Sequence, residues 1–226
     1  MWVKSEPNEH EKILFQRAQQ YIKKISWIPW IRMIAAGNSL SMYATHKDSD
    51  IDLFIITAKN RIWIVRALIT FCFWLYGVWR NGDDIAENFC LSFFIDEDAL
   101  DLSKIAIDDD IYLYFWIFYL KPIYTVENMY ERFLIENPWV QVPHDIQSQN
   151  HRYTLPYKPS CHECSFVFYP ILWLLNTGIS CIWGWKARSS YKKKGSPFGV
   201  IIEPNMLKFH DKDRRMYIRE NILHNR

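Results

Sequence analysis

Apolar positions recur at helical spacing between Pro7 and Lys24: Ile13, Leu14, Ala18, Tyr21 and Ile22 share one side, with charged residues between them. The spacing predicts a helix there, broken at Trp27-Ile-Pro-Trp30. Arg32 to Ala36 then reads as a short strand that enters a turn at Gly37, Asn38 and Ser39. Ser39 to Ala44 fits a helix of one to two turns whose N-terminal amides face an anion. Ile51 to Thr57 is apolar enough for a strand buried on both faces. Ile62 to Trp79 is a long apolar segment interrupted by Arg66. The uncharged stretch after Arg66 falls short of the roughly twenty residues that cross a bilayer. The expectation is a buried helix packed on a sheet.

Beyond it, Asn81 to Asp84 reads as a turn and Phe89 to Ile95 as a third strand. Asp109 to Leu120 looks helical, with Asp108, Asp109 and Asp110 favourable at its N-terminus and Pro122 as its stop. Glu127 to Asn137 is another predicted helix, closed by Pro138. Val140 to Pro159 is polar and punctuated by prolines, which marks a long loop or a boundary near 140–160. Ser165 to Trp185 carries no charge, Lys186 to Lys194 is basic, and Asp211 to Leu223 reads as a polar helix capped by Asp211. No internal repeat is visible.

Composition narrows the class. In a chain of 226 residues, 50% hydrophobic and 17% aromatic, a sizeable core fits one domain with an appendage or two small ones. Bulky rings fill cores but also sit at membrane interfaces, so the aromatic share leaves both open. A net charge of +2 is too mild to make nucleic acid the main partner. Cys72, Cys90, Cys161, Cys164 and Cys181 are odd in number and lie mostly in apolar runs, which suits reduced thiols. With polar residues from Met1 to Lys12 in place of a leader, the expected location is cytoplasmic.

The chemistry concentrates at Asp50 and Asp52, which open the strand Ile51 to Thr57. Side chains alternate along a strand, so these two carboxylates share a face while Ile51, Leu53 and Ile55 turn the other way. Hard divalent cations take oxygen ligands, and a turn of small residues frees backbone N–H groups for phosphate oxygens. Asn38-Ser39, ten residues, then Asp50-Ile51-Asp52 resembles the nucleotidyltransferase signature of the DNA polymerase β-like superfamily, and Asp48 to Leu53 looks like its small bacterial members. The order helix, strand, turn, short helix, acidic strand agrees over roughly residues 8 to 100. Cys90 to Leu102 and Tyr130 to Val140 look similar to a bacterial branch of nucleotidyltransferase-domain proteins, which supports the fold and names no substrate.

The resemblance implies an α/β (α+β) nucleotidyltransferase fold, a small mixed sheet with flanking helices over 1–104, followed by a mostly helical region over 105–226. It implies an Mg²⁺- or Mn²⁺-dependent transferase with Asp50 and Asp52 as catalytic metal ligands and Gly37, Asn38 and Ser39 at the triphosphate. The substrate is then a nucleoside triphosphate, ATP first, and the product a nucleoside monophosphate on the hydroxyl of an unknown acceptor: protein, RNA or small molecule. The family's glycine falls on Asn38, which tolerates positive φ best after glycine. A third family carboxylate is missing from Asn88 to Ile95, where Ser92 occupies the region. That departure supports the alternative of a catalytically inactive binding or regulatory partner. An acceptor pocket is expected between the core and the Tyr112 to Phe118 helix.

Other clusters carry blander readings. Asp96, Glu97, Asp98 and Asp101 read as a solvated loop, and Lys59 and Arg61 as surface charge, whereas Arg66 in an apolar helix needs a carboxylate or a bound phosphate. Cys161 and Cys164 have metal-ligand spacing without a second pair, so incidental thiols are expected. Ser165 to Trp185 is long enough to span a membrane, but its basic C-terminal flank would place the nucleotide site outside. A helix buried against the core or a protein partner is expected there, with contact at a membrane surface as the alternative.

Overall fold

Asn8 and Glu11 start the first helix by a reciprocal exchange: Asn8 Oδ1 accepts from the Glu11 N–H, and Glu11 Oε2 from the Asn8 N–H, both at 2.8 Å. The computed structural model describes residues 4–80, 86–156, 169–193, 195, 197, 199–210, 213 and 215–223. The helices are α1 (Glu9–Ile25), α2 (Asn38–Ser41), α3 (Ile62–Leu75), α4 (Ile111–Phe118), α5 (Met129–Ile135), α6 (His144–Asn150), α7 (Tyr169–Lys193) and α8 (Arg215–Leu223). Leu14, Phe15, Ala18, Ile22 and Ile25 form the fully buried stripe of α1.

Strands β1 (Ile31–Ala36), β2 (Ile51–Thr57), β3 (Phe89–Asp96), β4 (Lys121–Thr125), β5 (Val200–Glu203) and β6 (Met206–Phe209) make one mixed sheet in the order β4-β1-β2-β3-β6-β5. β2 and β3 run parallel with α3 between them in the chain, and every other neighbouring pair is antiparallel. Helices cover both faces. Leu53 and Ile55 pack with Ile34, Ala36 and Phe94 under α1 and α3; Phe54 and Ile56 pack with Met33, Ala35, Phe93 and Ile95 under α4 and α5. The two-sided burial expected of 51–57 follows. Each such side chain contributes about 2 kcal/mol when fully buried. A one-residue slip of β2 would exchange the two sets and drive Asp52 into the wrong core, so the register of the carboxylates is strongly fixed.

The chain after residue 104 is helical for most of its regular structure, but it also supplies β4, β5 and β6 to the same sheet. The expected division between 1–104 and 105–226 therefore cuts through a single sheet. β4 is an edge strand, which is where Pro122 can sit without costing a ladder bond. The polar stretch from Val140 packs rather than links: Leu155 N–H donates to the Ile123 carbonyl at 2.7 Å, and the Tyr153 ring stacks on Phe15 at 3.8 Å.

Several charged residues are placed differently from expectation. Arg61 is fully buried at the N-cap of α3 instead of lying on the surface. Arg66 meets no carboxylate among the described residues: it donates to the Leu91 carbonyl and lies over the Phe94 and Phe209 rings, and burial lowers its pKa to about 10. Asp96 is buried and accepts from the Asn60 and Asp98 N–H groups, so part of the acidic run ties the loop after β2 to β3. Asn176 of α7, read as weakening a membrane span, accepts from the Ile64 N–H in the first turn of α3 at 3.1 Å. Among the described residues no helix is long and apolar enough to cross a membrane. The turn at 81–84, the Cys161 and Cys164 pair and the cap at Asp211 lie outside the described residues.

Candidate active site

β1 ends at Ala36, and the Gly37 N–H donates to the Asp52 carbonyl at 3.0 Å, which ties the turn to the head of β2. Gly37 has ordinary backbone angles; its smallness matters because a Cβ there would lie 3.0 Å from Trp116 Nε1. Asn38 is left-handed, with φ at 50°, a conformation asparagine tolerates best after glycine. Its side chain is fully used. Oδ1 accepts from the Tyr112 hydroxyl at 3.0 Å, and Nδ2 lies 3.5 Å from His210 Nε2. Asn38 also hydrogen-bonds Asp52.

Asn38, Ser39, Asp50 and Asp52 line one wall of a cavity of about 1110 Å³. Tyr112, Leu113 and Trp116 of α4 form a second wall, where the acceptor pocket was expected. The third wall was not foreseen. Lys208 and His210 at the end of β6, with Asp213 and Arg215 at the start of α8, close the cleft from the C-terminal side. Lys59, Arg61 and Arg66 contribute nothing to this lining; Lys59 pairs with Asp98 at 2.7 Å instead.

Sheet register decides what stands beside the aspartates. Asp52 pairs with Cys90, whereas Phe54 pairs with Phe93, so β3 carries one extra residue between them. This bulge keeps both Cys90 and Phe93 on the α4 side. Cys90, and not Ser92, is thus the neighbour of the two carboxylates; Ser92 is buried and hydrogen-bonds the Cys90 thiol. One ligand atom each from Asp50, Asp52 and Cys90 lies within 4.8 Å of the others. The two carboxylate oxygens suit Mg²⁺ or Mn²⁺, and a thiol in third place shifts preference toward the softer of these.

The electrostatics are unbalanced. Burial and the charge of Asp50 raise the Asp52 pKa to about 6, against hydrogen bonds from Asn38 and Cys90. Burial, then the two carboxylates, push the Cys90 thiol up to about 12. Tyr112 rises to about 12 for the same reasons, burial first and Asp52 second. The nearest cation is Arg80, whose guanidinium meets Asp50 Oδ2 at 2.6 Å and Cys90 Sγ at 3.5 Å. Opposite, burial alone would raise Asp213, but the Arg215 N–H together with the Lys208 and Arg215 charges holds it below its usual value.

The sequence pattern found Asp50, Asp52 and the 37–39 turn, and the structure brings all five residues to one cavity edge or its supporting turn. It named Ser92 in place of Cys90, because the pairing of Asp52 with Cys90 is a matter of register between strands, and it missed Lys208, His210 and Arg215, which no local motif marks. Neither models of protein families, nor curated proteins, nor solved structures give a match to this chain, so its site is read from its own geometry.

Proposed function

We propose that this chain is a divalent-metal-dependent nucleotidyltransferase. It moves a nucleoside monophosphate from a nucleoside triphosphate, ATP first, to an acceptor hydroxyl on a protein, an RNA or a small molecule, and releases pyrophosphate. One observation carries the reading: Asp50 and Asp52 converge with the left-handed Asn38 turn and Ser39 on a single cavity wall. At about 1110 Å³ the cavity exceeds the roughly 300–1,000 Å³ of ordinary ligand pockets, which suits a nucleotide with its acceptor.

Asp50 and Asp52, joined by Cys90, are the side chains that would hold Mg²⁺ or Mn²⁺. Such an ion, when bound, neutralises charge on the triphosphate oxygens and on the phosphorus undergoing transfer. Asp52 supports this role: a carboxyl raised to about 6 by burial and a like charge gains most from a cation. Ser39 and the turn amides take the β- and γ-phosphates, and Tyr112 keeps Asn38 oriented by its hydrogen bond. The acceptor oxygen bonds to the α-phosphorus as the bond to the pyrophosphate oxygen breaks, and the acceptor proton passes to water in the cleft. The test is transfer of labelled nucleotide in a mixture of purified protein, Mg²⁺ or Mn²⁺ and cell lysate. Label that disappears in Asp50→Asn and Asp52→Asn supports the reading; no label in any fraction sinks it.

A second reading rests on Arg80. Its guanidinium already neutralises Asp50, and Cys90 stands where a third carboxylate was expected. Nucleotide binding without pyrophosphate release across a broad acceptor screen would favour a non-catalytic regulatory partner that keeps the site for binding alone.

A further inference from the structure

Helices α3 and α7 lie on the face of the sheet away from the carboxylates, with an apolar groove between them. Phe71, Trp74 and Trp79 line one side of it, and Leu175, Ile179 and Trp183 the other, around about 550 Å³. Burial of Asn176 and Gly184 fixes which side of α7 faces the body. At 100° per residue, Leu174, Leu175, Ile182 and Trp185 fall on the opposite side. They are exposed, Trp185 to 72% and Ile182 to 67%, and Trp74 across the groove to 63%. So broad a patch of aromatic and aliphatic surface marks an interaction site.

Charge says what it meets. Neither α3 nor α7 contains an aspartate or glutamate. Lys186, Arg188, Lys192 and Lys193 are exposed around the last two turns of α7, and Lys24 lies 5.0 Å from the Tyr76 ring just beyond α3. We propose that this face docks on an anionic lipid bilayer, with α7 lying in the plane of the interface. Exposed tryptophans rest at headgroup depth, leucine and isoleucine enter the acyl boundary, and the flanking cations meet lipid phosphates. Peripheral attachment agrees with the finding that among the described residues no helix is long and apolar enough to span. A second copy of this chain fits worse. Across a two-fold contact neither α3 nor α7 offers an acid to the basic residues of its image, so nothing on the two helices would answer that charge. The inference is independent of the reaction at Asp50 and Asp52.

The experiment is flotation of the full chain with vesicles of phosphatidylcholine alone and with added phosphatidylglycerol, followed by tryptophan emission. Binding is expected only with the anionic lipid, together with a blue shift in emission and weakening in high salt. Trp74→Ser with Trp185→Ser, and separately Lys186→Glu with Lys192→Glu and Lys193→Glu, should each lower partitioning by roughly tenfold or more with unchanged melting. The charge-reversal variant removes no packed side chain, so its loss of binding reads the surface and not the fold. Failure to float with any vesicle, or binding indifferent to both variants, overturns the proposal. So does a stable dimer in light scattering that Trp185→Ser dissolves, which would assign the face to a second copy.

Discussion

Two sets of charged side chains line the same cavity, and they are balanced in opposite ways. On the C-terminal wall, two acids meet two cations with almost no solvent between them. Arg215 reaches Asp110 at 3.0 Å and Asp213 at 2.9 Å, and Lys208 reaches Asp213 at 3.1 Å, with every side chain at most 9% exposed. On the β2 wall the one cation that meets Asp50 or Asp52 among the described residues is Arg80, and its hydrogen bond goes to Asp50. The first set is complete and fixes the position of the wall. Among the described residues the second is one positive charge short, which is the charge the proposed cation would supply.

Removing a charged side chain from each set is the strongest way to break this contrast. Asp52→Asn should lower metal-dependent transfer by about 10³-fold or more, and Asp50→Asn likewise. Melting without metal should stay level or rise, because the substitution removes a buried like charge. The pH dependence follows from the same group. In the fold the Asp52 pKa lies near 6, against an ordinary 3.8. A raised carboxyl favours the protonated state, so its cost to stability is absent below about pH 3.8 and complete above about pH 6. Stability of the metal-free protein should therefore fall across that window in wild type and not in Asp52→Asn, and Mn²⁺ should flatten it. Denaturant midpoints measured across the window decide the matter.

On the other wall the order of effects reverses. Arg215→Met strands the buried Asp110, whose one ion pair among the described residues it supplies, and leaves Asp213 with Lys208 alone. That should cost about 3 kcal/mol or more in chemical unfolding, because an uncompensated buried charge is expensive. If Arg215→Met instead left stability intact while nucleotide binding collapsed, both walls would be functional and the contrast would be wrong.

The contrast also explains what was legible in the sequence. β2 announces itself because its apolar run is buried on both faces, and Asp50 and Asp52 show a period of two that needs only local geometry. Asn38 could be read as the left-handed position because few residues other than glycine tolerate it. Cys90 was hidden because its pairing with Asp52 is set by the register of β3 on β2, interrupted by a bulge, which leaves no mark in composition. β4 was hidden by Pro122, which normally argues against a strand and is tolerated here at the sheet edge. The C-terminal wall was the least visible. β5 and β6 are four residues each, and β6 reaches β3 across more than a hundred residues of chain, so its placement depends on tertiary contacts.

Smaller substitutions in the 37–39 turn separate shape from chemistry. Gly37→Ala would press a methyl 3.0 Å from Trp116 Nε1, and Trp116 is itself clamped against Phe54 and Phe93. A loss of about 1–2 kcal/mol in stability is expected. Asn38→Gly keeps the left-handed turn and loses the hydrogen bonds to Tyr112 and Asp52, whereas Asn38→Ala loses both. Asn38→Ala should be less stable than Asn38→Gly by about 1 kcal/mol, with nucleotide affinity reduced in each.

The smallest expected effect is the most pointed test of the β2 wall. Arg80 is 40% exposed on its side chain, so its ion pair with Asp50 is worth about 1 kcal/mol or less. Its guanidinium nevertheless occupies the position from which a metal ion would compete for the same oxygen and for Cys90 Sγ. Arg80→Gln should therefore tighten Mn²⁺ binding, by up to roughly fivefold, and leave the melting temperature of the metal-free protein within a degree or two. Calorimetric titration of Mn²⁺ reads this directly. Weaker binding in Arg80→Gln would mean that Arg80 assists the site by orienting Asp50. A large loss of stability would place Arg80 with Arg215, as a cation the fold requires and no ion can replace.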